Sequence, residues 1–193
     1  MDMRTISVLL LVTILSISCD KLGISNTDGD GFVTYKITKG QQSASPAQYK
    51  YYPSLTELKF TAHFDSSAIY ATVNPTNQLD INKLYGFADD DKQHHVSSAR
   101  IGWRWYSNKL ELFGYVYNDS VRTTQLITQV PLKTDIPCSI KVDGTRYVFT
   151  ANGTQMTMPR TAKTPTGKGY RLYPYFGGDE MAPKDITIRI RED

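Results

Sequence analysis

The sequence is poor in the residues that most often carry chemistry. Cysteine occurs at Cys19 and Cys138 only, histidine at His63, His94 and His95, and glutamate at Glu57, Glu111, Glu180 and Glu192. Two cysteines cannot staple a small secreted fold, so stability must come from the core. Glutamates this isolated do not offer the carboxyl pair, about 5 to 5.5 Å apart, that a retaining glycosidase needs. Positive charge is not concentrated either: 22 basic and 19 acidic residues leave a net +3, with no basic run to focus a field. Nucleic acid is thereby excluded as a partner. Past residue 19 there is no long apolar run and no amphipathic helix of useful length. Tyrosine is plentiful, with 13 copies, and favours strands over helices.

The N-terminus holds an apolar run from Ile6 to Ile17, with Arg4 in front and Ser18-Cys19 behind. The run is too short to span a bilayer core as a helix and ends in small residues, the pattern of a cleaved signal peptide over 1–18. Cleavage there leaves Cys19 at the new N-terminus, and the stretch resembles the lipobox of bacterial lipoproteins. Ser18 fits that pattern, whereas Ser16 stands where an apolar residue is usual. The resemblance implies a lipid on Cys19; the alternative is an ordinary secreted protein cut near Ser18. Two or three acyl chains, at about 0.8 kcal/mol per buried methylene, anchor a protein stably. The expected location is the cell envelope, lipid-anchored at the outer membrane of a Gram-negative bacterium.

Removing 1–18 leaves chain enough for one ordinary domain and loses Asp2 and Arg4 together, so the net +3 is kept. Residues 19–31, polar and rich in Gly and Asp, read as a flexible tether. Within it Asp28-Gly-Asp-Gly31 hints at a calcium loop, but Lys39 stands at the twelfth position, where a bidentate glutamate is required. Residues 32–193 read as a single β-sandwich domain. Phe32 to Ile37 and Leu55 to Phe64 read as strands, with a loop from Gln41 to Gln48. Residues 74 to 98 show no sustained period and read as one or two long loops. The last strand, 185 to 191, alternates Ile186, Ile188 and Ile190 against Thr187, Arg189 and Arg191.

Turn pairs fix registers in the second half. A two-residue turn at Ser107-Asn108 sets Trp105 opposite Leu110, Arg104 opposite Glu111, Trp103 opposite Leu112 and Arg100 opposite Tyr115. One face then carries Ile101, Trp103, Trp105, Leu110, Leu112 and Val116, and faces the core. The other carries Arg100, Arg104, Tyr106, Glu111, Phe113, Tyr115 and Tyr117. Turns at Asp143-Gly144 and Asn152-Gly153 build a three-stranded meander with Cys138, Phe149 and Met156 in one inward row and Ile140, Tyr147 and Met158 in the next. That register sets Lys141 opposite Arg146, a like-charge pair that a longer turn would relieve. Many short strands give an all-β antiparallel sandwich or jelly roll, without substantial helix after the signal peptide.

Three strings extend this reading: Asp80-Ile-Asn-Lys-Leu-Tyr-Gly-Phe87, Ser98-Ala-Arg-Ile-Gly-Trp-Arg-Trp105, and Tyr173-Pro-Tyr-Phe-Gly-Gly-Asp-Glu180 followed by Ala182-Pro-Lys-Asp-Ile-Thr-Ile188. They resemble a group of poorly characterised bacterial surface lipoproteins whose domain is similar to the concanavalin-A-like jelly roll. The resemblance covers most of residues 32 to 191. It implies the fold and the envelope location, and brings no agreed activity.

The aromatic and arginine face is the leading candidate site. Sugar rings stack on aromatic planes, and guanidinium forks donate to hydroxyls or carboxylates. Arg100, Arg104, Tyr106, Glu111, Tyr115 and Tyr117 are therefore expected to line a glycan-binding groove, if that face is concave. An exposed sheet face with cross-strand pairs such as Arg104 with Glu111 is the bland alternative. The carboxylate pair of laminarinase-type enzymes and the Gln-x-His and Tyr-Phe-Lys-Ala-Gly strings of alginate-lyase jelly rolls are missing, so binding without catalysis is expected. The alternatives are a lyase or hydrolase with atypical residues, Arg100, Arg104, Tyr115 and Tyr117 forming a lyase-like set around one of the histidines, and an accessory subunit with an outer-membrane protein partner. No cofactor is expected. Asp179, Glu180 and Asp185 beside Gly177-Gly178 suit a structural calcium, or merely flank a tight turn. His94-His95 with Asp89 to Asp91 lack a spaced third metal ligand and read as a solvated polar loop.

Overall fold

The computed structural model describes residues 28–193, so the signal peptide, Cys19 and most of the tether lie outside the described residues. The strands are β1 (Val33–Ile37), β2 (Ala44–Ser45), β3 (Tyr51–Leu55), β4 (Glu57–Phe64), β5 (Asn82–Ala88), β6 (Ser97–Tyr106), β7 (Lys109–Asn118), β8 (Val121–Val130), β9 (Asp135–Asp143), β10 (Arg146–Ala151), β11 (Thr154–Pro159), β12 (Gly167–Leu172) and β13 (Ile186–Glu192). They form a seven-stranded sheet, β11-β10-β9-β4-β13-β1-β2, and a six-stranded sheet, β3-β12-β5-β6-β7-β8. All neighbours are antiparallel, and the two sheets make the jelly-roll sandwich expected from the sequence. Helix is confined to two 3-10 turns, Ser66–Ala68 and Pro75–Leu79. Among the described residues no helix is long and apolar enough to cross a membrane.

The core lies between the sheets and follows the strand period. Ile186, Ile188 and Ile190 of β13 point inward, as does Cys138 of β9, whose thiol pKa is pushed up by burial. Trp103 of β6 is fully buried, its ring 5.3 Å from Phe64 and edge-on to Tyr70 at 5.8 Å. Each large side chain buried this way contributes about 1.5–3 kcal/mol.

The Ser107-Asn108 turn has both residues at positive φ, 49° and 59°, and every pair expected across it is present. The Asn152-Gly153 turn is likewise as expected. At the other hairpin the register is shifted: Asp143 pairs with Arg146, so Gly144 and Thr145 form the turn, and Ile140 rather than Cys138 faces Phe149. The shift keeps every residue on its expected face and replaces the Lys141–Arg146 repulsion with an Arg146–Asp143 ion pair at 3.5 Å.

Three other expectations change. Leu55 to Phe64 is not one strand, because the chain passes at Thr56 from β3 in one sheet to β4 in the other. Residues 74 to 98 are not only loop: they contain β5, a central strand buried on both faces, whose sequence therefore shows no alternation. The expected tether ends earlier than Gly31, since Arg189 binds Asp28 at 3.1 Å and Asp30 at 2.6 Å and ties that turn to β13.

The Asp89 to Asp91 segment is solvated only in part, with Asp91 exposed and Asp90 half-buried. Asp89, just after β5, is fully buried and accepts hydrogen bonds from Tyr147 of β10 at 2.6 Å and from Arg160, after β11, at 2.8 Å. This ion pair joins the two sheets. Breaking a buried pair strands the remaining charge. Asp89→Asn is expected to lower unfolding free energy by about 3–5 kcal/mol, read as a lower urea midpoint at unchanged slope.

Candidate functional site

On the outward side of the six-stranded sheet, β5 and β6 pack closely because side chains are missing at two buried positions. Gly86 of β5 lies opposite Arg100, and Gly102 of β6 lies opposite Lys83. At Gly86 a Cβ would collide with the main chain of Ala99 and Arg100, so only glycine allows the strands to pair there. Two hollows open on this face. The first, about 380 Å³, is lined by Tyr49, His94, Arg100, Tyr170, Arg171 and Tyr175 among others. The second, about 300 Å³, includes Asp80, Arg104, Phe113, Tyr115, Arg122 and Thr124.

The six candidates from the sequence separate into two groups. Arg100, Tyr115 and Tyr117 sit together: the Arg100 guanidinium is 5.8 Å from the Tyr115 ring centroid, and Tyr115 is 6.0 Å from Tyr117. Arg104, Glu111 and Tyr106 sit at the hairpin end, where Arg104 donates to Glu111 at 2.7 Å and to the Leu79 carbonyl at 2.9 Å. Gln129 donates to the other Glu111 oxygen at 3.1 Å, and Tyr106 is stacked under Arg104 at 5.1 Å. These contacts tie strands and loop together, so Arg104 and Glu111 are largely engaged within the protein.

Arg100 is different. It is 5% exposed, yet its Nε and Nη2 have no hydrogen-bond partner, and no carboxylate pairs with it among the described residues. Burial without a counter-charge lowers its pKa. A buried cation left in this state is costly, and an anion entering the first hollow would satisfy it.

Reading the sequence alone missed Lys83 and Tyr170, and considered a histidine beside Arg100 without saying which. His94 is half-buried rather than solvated, and its Nδ1 lies 2.9 Å from the Tyr170 hydroxyl. Burial first, then the nearby Arg100, push its pKa down to about 4, so it is neutral at pH 7. Lys83 projects between the Tyr115 and Tyr175 rings, 5.5 and 5.6 Å from their centroids, and burial lowers its pKa to about 8. The Tyr173–Gly177 segment walls the groove, because Lys83 and Tyr175 exchange main-chain hydrogen bonds of 2.9 and 3.0 Å. Parity along β5 would not have found Lys83 even with that segment recognised as a strand, because a bulge between Lys83 and Tyr85 breaks the alternation that would otherwise set it with the core residues Tyr85 and Phe87. Nothing local signals Tyr170, or which of the histidines meets Arg100.

The three acids expected to hold calcium are not brought together. Glu180 accepts from Val73 N at 2.8 Å, Asn74 N at 2.6 Å and Asn77 Nδ2 at 2.9 Å; Asp185 pairs with Lys36 at 2.7 Å; Asp179 touches Asp80 through its own amide at 3.3 Å. Among the described residues no group of three or more His, Cys, Asp or Glu could hold a metal ion.

No family model matches the sequence, and neither does any curated protein. Solved structures do match. The alginate lyase AlyC3 is similar with TM-score 0.59 at 7% identity, over 86% of this chain and 76% of that one. An alginate lyase from Pseudomonas aeruginosa gives 0.55 at 9%, over 86% and 83%. A laminarinase catalytic domain from Thermotoga petrophila gives 0.52 at 10%, over 84% and 76%. At such identities the likeness is one of fold, and the fold of this chain is the jelly-roll sandwich that these carbohydrate-active proteins share.

Proposed function

We propose that this domain binds an acidic polysaccharide in the groove of its six-stranded sheet, without cleaving it, and that a lipid on Cys19 holds it at the cell envelope. The observation that carries the reading is the buried Arg100 with its unpartnered Nε and Nη2. A carboxylate or other anionic sugar substituent supplies what that guanidinium lacks, and the half-buried Tyr170 and Tyr175 supply ring faces for the sugar. The alginate lyases of the same fold act on an acidic polymer, which supports the assignment of ligand class.

One observation favours a second reading. His94, neutral and hydrogen-bonded to Tyr170 beside Arg100, is a pair able to move a proton next to a bound carboxylate, as a lyase requires. Incubation with polyuronates followed by ultraviolet detection of unsaturated ends separates the two. No such product is expected; its appearance, lost in His94→Ala, would make this a lyase.

The binding reading predicts retention on immobilised polyuronate but not on a neutral glucan. Arg100→Gln is expected to weaken polyuronate binding about ten- to a hundredfold, the size of a charge-assisted hydrogen bond. Because Arg100 has no internal partner, the ligand-free variant should melt at or above the parent temperature. Equal binding by the variant, or a large loss of its stability, would show Arg100 to be structural. For the anchor, labelled fatty acid should enter the full chain and fail to enter Cys19→Ala.

A further inference from the structure

Arg100 is not the only cation of the groove without an acid. Lys83 and Arg122 form no ion pair among the described residues. Lys83 stands between the two hollows, since one of the rings beneath its Nζ, Tyr175, lines the first and the other, Tyr115, lines the second. Arg122 of β8 lines the second hollow with Tyr115. Room for the lysine is built in: a Cβ at Gly177 would land on the Lys83 amine. Arg100 and Lys83 thus both approach the Tyr115 ring, and Arg122 reaches the hollow on its other strand neighbour.

Cations gathered this closely repel one another, and Arg100 and Arg122 both disfavour the charged form of Lys83. The nearest acid, Asp80, is partly engaged by the Asp179 amide at 3.3 Å. One bound anion at Arg100 leaves the other two cations uncompensated. We propose that Lys83 and Arg122 form a second anion position beside Tyr115, so that the groove takes a polymer whose acidic groups stand on adjoining sugars. This rests on the reading that the groove binds an acidic glycan. A chain whose uronates alternate with uncharged sugars fills one position and leaves the other empty.

The test compares short oligogalacturonates, with an acid on every sugar, against hyaluronan oligosaccharides of equal length, with an acid on every second one, by calorimetry. The parent should bind the first at least tenfold more tightly. Lys83→Met and Arg122→Gln should each erase most of that preference while leaving the weaker hyaluronan binding in place, and each should flatten the salt dependence of oligogalacturonate binding. Lys83 also gives a readout in the unaltered protein. Its charge is lost as pH rises through about 8, so oligogalacturonate affinity should fall between pH 7 and 9 in the parent and not in Lys83→Met. The charged groups facing its Nζ are Arg100, Arg122 and Asp80, with the phenols of Tyr115 and Tyr175. Equal affinity for the two ligands, or unchanged preference and pH response in both variants, overturns the second position while leaving an Arg100 site standing. Failure of the parent to bind either ligand overturns both readings.

Discussion

The buried Asp89–Arg160 pair is the constraint from which the groove is built. Arg160 does not stop at Asp89: its Nη1 donates to the Thr164 carbonyl at 2.7 Å and its Nη2 to the Thr166 carbonyl at 3.1 Å, so one guanidinium fixes the connection between β11 and β12. Asp89 in turn accepts from the Lys168 amide at 3.1 Å, inside β12, and its own amide donates to the Ser97 carbonyl at 3.0 Å, where β6 begins. Tyr170 lies two residues beyond Lys168, and His94 lies on the loop that Asp89 opens. Fixing these two ends in a water-free environment sets where the His94–Tyr170 pair stands. A surface pair of the same atoms could not do so, because solvent screening would leave the segments free.

A second ionic contact joins the sheets at the other side of β5. Glu192, at the end of β13, accepts from Tyr85 of β5 at 2.9 Å and from Tyr52 of β3 at 3.1 Å, and lies 3.7 Å from Arg171 of β12. Desolvation opposes ionisation of Glu192, but the donors of Lys50 and the tyrosines outweigh it and its pKa is lowered. Strands β3, β5 and β12 are therefore held at their backs by carboxylates, and the groove face in front of them is free to be cationic. Arg160 and Arg100 are almost equally buried, at 4% and 5% exposure. One is saturated with acceptors and is structural. The other faces a hollow with donors unused, and that difference, not burial, is what the proposed binding role rests on.

Much of this was legible in the sequence wherever a short turn and a one-sided pattern coincide. Ser107-Asn108 fixed the β6–β7 register and so brought Arg100 to Tyr115 without any structural information. The likeness of charge between Lys141 and Arg146 even warned that the Asp143-Gly144 turn was misplaced. Five strands escaped, the short β2 and β3 among them. β5 is covered on both faces, so its residues do not alternate; β8 is an edge strand exposed over most of its length, with its apolar Leu126 and Ile127 adjacent rather than alternating; β12 carries Gly167 and Gly169. Since β5 and β12 bear Lys83 and Tyr170, and the turn after β5 bears His94, half of the groove was out of reach. Those residues meet Arg100 only through long-range pairing, which no local period encodes.

The fold alone leaves the chemistry open, and the charge pattern narrows it. Hydrolysis of a glycosidic bond in the laminarinase manner needs two carboxyl groups flanking the bond. Around these hollows the acids are Asp80, which receives an amide, and Glu111, whose oxygens are taken by Arg104 and Gln129. Neither stands opposite a second acid among the residues that line the two hollows. The face offers instead fixed positive charge, phenol rings and a neutral histidine. On the proposed reading, a sandwich of the same fold as a laminarinase carries a site for negative charge, and the difference lies in a few outward residues on β5, β6, β7 and β12 rather than in the core that makes the folds alike.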